Sequence, residues 1–231
     1  MSNIDLEYDL LNYIIANELR PGDRIPAISE LTDPKHLGIS TSKVREQLEV
    51  ARALGMVEVR SKIGTRLKEY DFACGVRLSL LYAVGLDFKN FEMFTALRNH
   101  IEVAFWNEAC ELLTDVEKAE MRQAVEAARE KLTASRIRIP NIEHRTFHLT
   151  VFKQLDNPFV TGLLKAYWDA YNAVELNRYA DYSYLTEVWD YHEQILDEIC
   201  IGDYDTAKAT FIKHTQLLRH QPIMKDHEHQ N

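Results

Sequence analysis

The chain has little of what membrane-spanning, secreted and disulfide-bonded proteins need. Its 231 residues contain no run of 18 apolar residues, so the sequence offers no candidate membrane span. The opening MSNIDLEYDLLNYI has neither a basic leader nor a small-residue cleavage site, so we expect no secretory signal. Three scattered cysteines (Cys74, Cys110 and Cys200), never in CxxC spacing, are typical of reduced thiols in a cytoplasmic protein.

Motifs of metal-dependent catalysis are also missing. The sequence has no HExxH, and no histidine has a glutamate three residues before it. These absences exclude the zincin pattern and the di-iron Glu-x-x-His pattern. We therefore predict that the chain is not an enzyme, and a metal-dependent hydrolase or oxygenase is the weakest alternative.

Charge is distributed unevenly along the chain. The formal net charge is −9, yet residues 35–68 carry eight lysines and arginines against three glutamates. The overall charge argues against non-specific coating of nucleic acid. A short basic segment in an acidic chain indicates a nucleic-acid reader attached to a second domain.

The first 70 residues predict a winged helix-turn-helix. Helical spacing over IDLEYDLLNYIIANEL stops at RPGD, and a short second helix follows over residues 26–31. Ser40 caps a third helix over TSKVREQLEVARAL, which Gly55 ends with a left-handed residue. The alternation in MVEVRSKIGTRL, with a turn at Gly64, predicts a small β-hairpin.

From about residue 72 every segment has helical spacing, with short breaks typical of a bundle. The predicted fold class is mostly α: an N-terminal winged helix-turn-helix with a small β-hairpin, then an all-α bundle of about six to seven helices. The predicted domains are a DNA-binding winged helix-turn-helix domain at 1–70, an all-helical domain at 71–221 and a flexible tail at 222–231.

A recognition helix presents hydrogen-bond donors to base edges and phosphates from its N-terminal end. The first turn of the third helix is rich in hydroxyls and cations, and the hairpin adds further cations that can reach the flanking backbone. The predicted DNA-binding residues are Ser40, Thr41, Ser42, Lys43, Arg45, Arg60, Lys62 and Arg66. The alternative is a solvated basic face on a protein-binding winged helix.

The segments ELRPGDRIPAISEL, LGISTSKVREQLEVARALGMVEV and GTRL resemble the winged-helix domain of GntR-type bacterial transcription regulators. The sequence departs from that family at three points. Ser29 stands where the family usually has a DNA-contacting arginine, the loop at 33–37 is long by about two residues, and Lys62–Ile63 replaces a common Gly-Arg pair. The resemblance therefore implies an operator unlike the family's usual site.

The resemblance continues to about residue 219. LRNHIE, EHRTFHLTVFKQLDNPF, GDYDTA and FIKHTQLL are similar to the FCD-type ligand-binding domain of the FadR subgroup. That family holds a divalent metal on an aspartate and three histidines. His144 occupies the aspartate position, and His148, His192 and His214 match the three histidines, so the resemblance implies a four-imidazole site.

The residue chemistry is consistent with this metal site. His144 and His148 lie one helical turn apart, and His192 and His214 each lie among apolar residues of a later helix. Neutral imidazole favours nitrogen-preferring ions, so we predict Zn²⁺ or Ni²⁺ rather than Mn²⁺ or Mg²⁺. Each histidine alone is more typical of an ordinary core or surface residue.

Arg98 and, more weakly, Arg178 are the predicted effector-binding residues, because an arginine can fork a carboxylate. The alternative for Arg98 is an ion pair with Glu102, four residues later on one helix. The large aromatic residues of this half, including Tyr82 and Trp168, are expected in the core.

Together these patterns predict a cytoplasmic, homodimeric transcription regulator that contacts no membrane. A small organic acid bound beside the metal would control its affinity for double-stranded operator DNA. The alternative is a metal sensor, in which the ion itself is the signal.

Overall fold

A computed structural model describes residues 5–60, 63–174 and 181–217. These residues form ten helices and one two-stranded antiparallel sheet, in the order three helices, hairpin, seven helices. The chain divides into two compact units, Met1–Ser79 and Leu80–Asn231. The predicted fold class is confirmed, while the predicted domain boundaries stay a prediction.

The first unit contains α1 (Asp9–Ala16), α2 (Ile28–Leu31), α3 (Thr41–Ala53), β1 (Val57–Arg60) and β2 (Gly64–Leu67). Apolar residues from each of α1, α2, α3 and β1 are buried together in one small core. The Ser40 hydroxyl accepts a hydrogen bond from the Lys43 amide at 3.3 Å, so Ser40 caps α3 as predicted.

Two features fix the hairpin in the first unit. β1 pairs with β2 from Val57 opposite Leu67 to Arg60 opposite Gly64. Gly55 has a φ of +73°, and a Cβ there would lie 2.5 Å from the Cys74 sulfur, so only glycine fits both the conformation and the space.

The second unit is helical throughout its described residues. It contains the end of α4 (Phe72–Leu86), then α5 (Lys89–Glu111), α6 (Asp115–Thr133), α7 (Asn141–Val151), α8 (Pro158–Ala173), α9 (Tyr182–Cys200) and α10 (Tyr204–Leu217). Side chains cap three of the starts: Thr114 for α6, Asn157 for α8 and Asp181 for α9. These caps satisfy backbone amides that have no partner within their own helix.

The helices pack in an order that places α5, α7, α9 and α10 around one interior. α9 packs against α6 and α10, α6 against α7, and α5 against α8 and α10. Trp106 and Trp189 lie in the main core cluster, whereas Trp168 lies in a second cluster with Tyr167 and Phe91. Both clusters border the histidines.

One expectation about the core is wrong. Tyr82 on α4 is 70% exposed, because it lies on the face of the helix opposite the buried Leu80, whereas Trp168 is buried as expected. Among the described residues, no helix is both long and apolar enough to cross a membrane.

Candidate metal centre

Four buried histidines converge in the interior of the second unit. α7 supplies His144 and His148, which lie on one face because they are four residues apart, while α9 supplies His192 and α10 supplies His214. One possible ligand nitrogen from each residue lies within 4.8 Å of the others, and no ring is more than 4% exposed. The structure therefore brings together the four residues that the sequence proposed as metal ligands.

Burial keeps these imidazoles neutral. Removal from water lowers the pKa of His144, His148 and His214 well below the usual value, and repulsion from Arg98 and from any neighbouring imidazole that is protonated lowers it further. Burial likewise lowers the pKa of His192 to about 3, although its hydrogen bond to Val188 acts in the opposite direction. Neutral imidazole is the form that binds a metal ion.

Two of the histidines have buried nitrogens that nothing in the described part of the chain satisfies. His144 Nε2 and His214 Nδ1 have no hydrogen-bond partner among the described residues. A buried polar atom without a partner is costly, so such atoms call for an explanation. A divalent ion that prefers nitrogen ligands fits this donor set, because it would accept both lone pairs.

The other two histidines have defined hydrogen-bond partners. His192 Nδ1 lies 2.6 Å from the carbonyl oxygen of Val188, which fixes the ring and leaves Nε2 facing the cluster. His192 Nε2 lies 3.2 Å from His148 Nε2. The contact of His192 Nδ1 with a backbone carbonyl oxygen, on the side of the ring away from the cluster, is typical of histidines that bind metals.

Arg98 and Glu102 on α5 flank His148. Arg98 Nη2 lies 2.9 Å from His148 Nδ1, Arg98 Nε lies 2.6 Å from Glu102 Oε2, and Glu102 Oε1 lies 3.5 Å from His148 Nδ1. The guanidinium carbon also lies 4.7 Å from the ring centre of Tyr167 and 5.1 Å from that of Trp168. Burial raises the pKa of the Glu102 carboxyl, and Arg98 limits the rise.

These contacts bear on the predicted effector site. Arg98 forms the Glu102 pair that the sequence offered as an alternative, and its side chain is 1% exposed. Its role toward an effector stays a prediction, and Arg178 lies outside the described residues. The approach of Glu102 to His148 was missed from the sequence, because the Arg98–Glu102 spacing indicates a helical pair and says nothing about α7.

The predicted DNA-binding residues lie in the first unit. Ser40, Thr41, Ser42, Lys43 and Arg45 are exposed at the start of α3. Their exposure makes this end of α3 accessible from solvent, and their contact with DNA stays a prediction.

Three of the basic residues also have partners within the unit. Lys43 Nζ lies 2.8 Å from Asp9 Oδ2, and Arg60 Nη2 lies 2.8 Å from Glu58 Oε1. Arg66 donates to the carbonyl oxygen of Gly22 at 2.5 Å, which ties the hairpin to the turn after α1. Lys62 lies outside the described residues, so its predicted DNA contact has no structural account.

Comparison with known proteins places both units in families. The family model of bacterial regulatory proteins, gntR family, matches residues 5–67, and the FCD domain matches residues 92–217, more than half of the chain. The HTH-type transcriptional regulator LutR of Bacillus subtilis is 27% identical over 108 residues, which cover 47% of this chain and 48% of LutR. The chain therefore spans about half the length of that relative.

Two further proteins match over most of their length. The uncharacterized HTH-type transcriptional regulator YieP of Escherichia coli is 25% identical over 206 residues, which cover 86% of this chain and 85% of YieP. The solved structure of Streptococcus agalactiae GntR has a TM-score of 0.62 and 19% identity, and the match covers 91% of this chain and 95% of that one. The structural likeness establishes the fold alone. From the two family matches, the chain belongs to the GntR family of transcription regulators, in the FadR-like subgroup with an FCD ligand-binding domain, and it is not an enzyme.

Proposed function

We propose that this regulator holds a divalent ion on His144, His148, His192 and His214, and that a small carboxylate effector beside the ion controls its operator affinity. The observation that carries the proposal is the convergence of four neutral imidazoles, two of them with buried nitrogens lacking a partner. All-nitrogen ligation favours Zn²⁺ or Ni²⁺ as the native ion.

The ligand set explains why the effector would be an anion. Four neutral imidazoles leave the full charge on a divalent ion, and the neighbouring Arg98–Glu102 pair adds no net negative charge. A buried, uncompensated charge is strongly unfavourable, so a carboxylate that enters beside the ion gains from both coordination and charge neutralisation.

On the DNA side, the proposed contacts are the first turn of α3, Arg45 and the cations of the hairpin. Each chain has one winged helix, whereas two half-sites about one helical turn apart need two recognition helices. We therefore propose a homodimer. The candidate contacts with the second copy are exposed apolar residues one turn apart on α4 (Tyr82 and Leu86) and on α5 (Met93 and Leu97).

A second candidate function is a metal sensor that needs no organic effector. The observation in its favour is the engagement of Arg98, which contacts Glu102 and His148 and is almost fully buried. In that case occupation of the four-histidine site alone would change the affinity for DNA.

One titration separates the two functions. An operator fragment is first selected from genomic DNA with the full-length protein, and its dissociation constant is then measured by fluorescence anisotropy. The measurement is made with metal-free protein, with Zn²⁺, and with Zn²⁺ plus each of a panel of mono-, di- and tricarboxylic acids. His100→Gln is a matched control, because that histidine is exposed and outside the proposed site.

The outcomes are distinct. An acid that changes the dissociation constant at least tenfold only in the presence of Zn²⁺ supports the metabolite-responsive function. A change of the same size with Zn²⁺ alone, unaffected by every acid, supports the metal sensor. Wild-type behaviour in His148→Ala would contradict a metal site at these residues.

A further inference from the structure

A directional chain of hydrogen bonds runs through the candidate metal centre. It joins Arg98 Nη2 to His148 Nδ1 at 2.9 Å, His148 Nε2 to His192 Nε2 at 3.2 Å, and His192 Nδ1 to the carbonyl oxygen of Val188 at 2.6 Å. Both ends fix the direction, because a guanidinium nitrogen can only donate and a carbonyl oxygen can only accept.

The two ends assign the protons on both imidazoles. His192 donates through Nδ1 to Val188, so its Nε2 carries a lone pair. His148 accepts through Nδ1 from Arg98, so a neutral His148 carries its proton on Nε2 and donates it to His192. His192 is therefore ready to bind a metal ion through Nε2, whereas His148 has a proton on the nitrogen that faces the cluster.

Coordination through His148 Nε2 requires the proton to move to Nδ1. The move exchanges one neutral tautomer for the other, with no change in net charge. An Nδ1–H group cannot face Arg98 Nη2, because both would be donors. The available acceptor is Glu102 Oε1, which lies 3.5 Å from His148 Nδ1 and has no hydrogen-bond partner among the described residues.

We propose that His148 is a tautomeric switch that couples metal loading to the position of Arg98. In the metal-free protein Arg98 holds His148 with its proton on Nε2. In the loaded protein Glu102 accepts the Nδ1 proton, and Arg98 Nη2 leaves His148 while Nε keeps its pair with Glu102. The inference rests on the proposed metal site, and Glu102 is a positioning residue in it.

Release of the Arg98 guanidinium group from His148 would allow Arg98 to bind an effector. Arg98 Nη2 is then free to bind a carboxylate, while Tyr167 and Trp168 still hold the guanidinium plane. Metal loading thus creates the cationic donor that an acidic effector needs. This order of events accounts for the contacts of Arg98 with both His148 and Glu102.

Nitrogen NMR of the full-length wild-type protein with ¹⁵N-labelled histidine tests the switch directly. The shifts of Nδ1 and Nε2 distinguish the two neutral tautomers, and the His148 signals are assigned by their loss in His148→Gln. The expected result is an Nε2–H imidazole in the metal-free protein and an Nδ1–H imidazole after titration with Zn²⁺. An Nδ1–H imidazole in the metal-free protein would overturn the proposal.

Two variants with opposite expected effects separate the switch from a merely structural ion pair. Glu102→Gln should weaken Zn²⁺ binding about 10–100-fold, the usual cost of losing a partner of a ligating histidine. Arg98→Met should tighten it and shift metal-free His148 toward the Nδ1–H tautomer, because it removes the competing donor and a positive charge. Arg122→Met, which removes an arginine paired with Asp197, is the matched control and should change neither.

The remaining outcomes are also decisive. Equal weakening in Glu102→Gln and Arg98→Met would mean that the pair only supports the fold, and would refute the switch. A wild-type protein that binds no Zn²⁺ would refute the proposed metal site. In that event the metal-free tautomer of His148 would still report on the hydrogen-bond chain by itself.

Discussion

Acidification should destabilise the metal-free FCD domain, and the four buried histidines set the size of the effect. Their folded-state pKa values lie far below the unfolded value of about 6.5, so the unfolded chain binds more protons below that pH. Stability is therefore fully present above pH 6.5 and falls as the pH drops toward the folded pKa, which is about 3 for His192.

The magnitude follows from that linkage. Between pH 7.5 and 5.5 each histidine costs a little over 1 kcal/mol of unfolding free energy, so the four cost about 5 kcal/mol together. Glu102 acts in the opposite direction, because burial raises its pKa to about 7 and protonation then favours the folded state. Its contribution is at most about 2 kcal/mol, which leaves a net loss of about 3 kcal/mol. The unfolding free energy of a domain is usually about 5–15 kcal/mol, so this loss would be a large fraction of it.

Tryptophan fluorescence makes the assay specific for this domain. The three tryptophans of the chain (Trp106, Trp168 and Trp189) are all buried in the second unit. Urea unfolding with EDTA should show a midpoint about 1–2 M lower at pH 5.5 than at pH 7.5, for a urea dependence of about 2 kcal/mol per M.

Two variants isolate the histidine contribution to this pH dependence. His214→Leu should reduce the difference between the two midpoints by about a quarter of the histidine effect. His100→Gln, at an exposed position, should leave that difference unchanged. Equal midpoints at the two pH values in wild type, or a higher one at pH 5.5, would refute the reasoning.

Further predictions concern DNA, assembly and metal. Arg45→Ala should cost about 1–3 kcal/mol in operator binding and less on random DNA, and an equal loss on both by anisotropy would limit Arg45 to phosphate contact. Leu86→Glu should shift the full-length protein toward monomer in analytical ultracentrifugation. Val116→Glu, at an equally exposed apolar residue of α6, should not. A dimer that persists in Leu86→Glu would exclude Leu86 from the dimer interface. Zn²⁺ at 100 times its dissociation constant should stabilise the wild-type domain by about 2.7 kcal/mol. His144→Ala and His148→Ala should both reduce that gain in urea unfolding, and an undiminished gain in His144→Ala would remove that residue from the ligands.

The fold could be predicted from the sequence because local signals agree with tertiary packing. Ser40 as a cap, Gly55 as a left-handed residue and Asn157 before Pro158 are each visible in a few residues, and each marks a helix end in the structure. The exposure of Tyr82 could not be predicted this way. Helical spacing gives two apolar faces on α4, and only the packed structure decides which of them is covered.

The candidate site could likewise be predicted from the sequence only in part. The four histidines could be proposed from a family resemblance and from the turn that separates His144 and His148. The contact of Glu102 with His148 depends on how α5 and α7 lie against each other, which no periodicity in either helix encodes. The same holds for the direction of the hydrogen bonds, since it needs Val188 and Arg98 at opposite ends of one chain of contacts.

In the proposed function, a histidine at position 144, where the resembled family has a carboxylate, would couple the binding of the metal to the binding of the effector. In this interior the imidazoles are neutral and the Arg98–Glu102 pair has no net negative charge, so an added divalent ion has no local countercharge. Two unit charges about 4 Å apart interact by about 4 kcal/mol at an effective dielectric constant of about 20, which is enough for anion binding to change metal affinity by orders of magnitude. Coupling of this kind is reciprocal, so the metal must raise the affinity for the acid by the same factor. An aspartate in the place of His144 would supply part of the countercharge permanently and weaken that dependence. The four-histidine arrangement thus favours a regulator in which metal and acid report jointly rather than a passive structural ion.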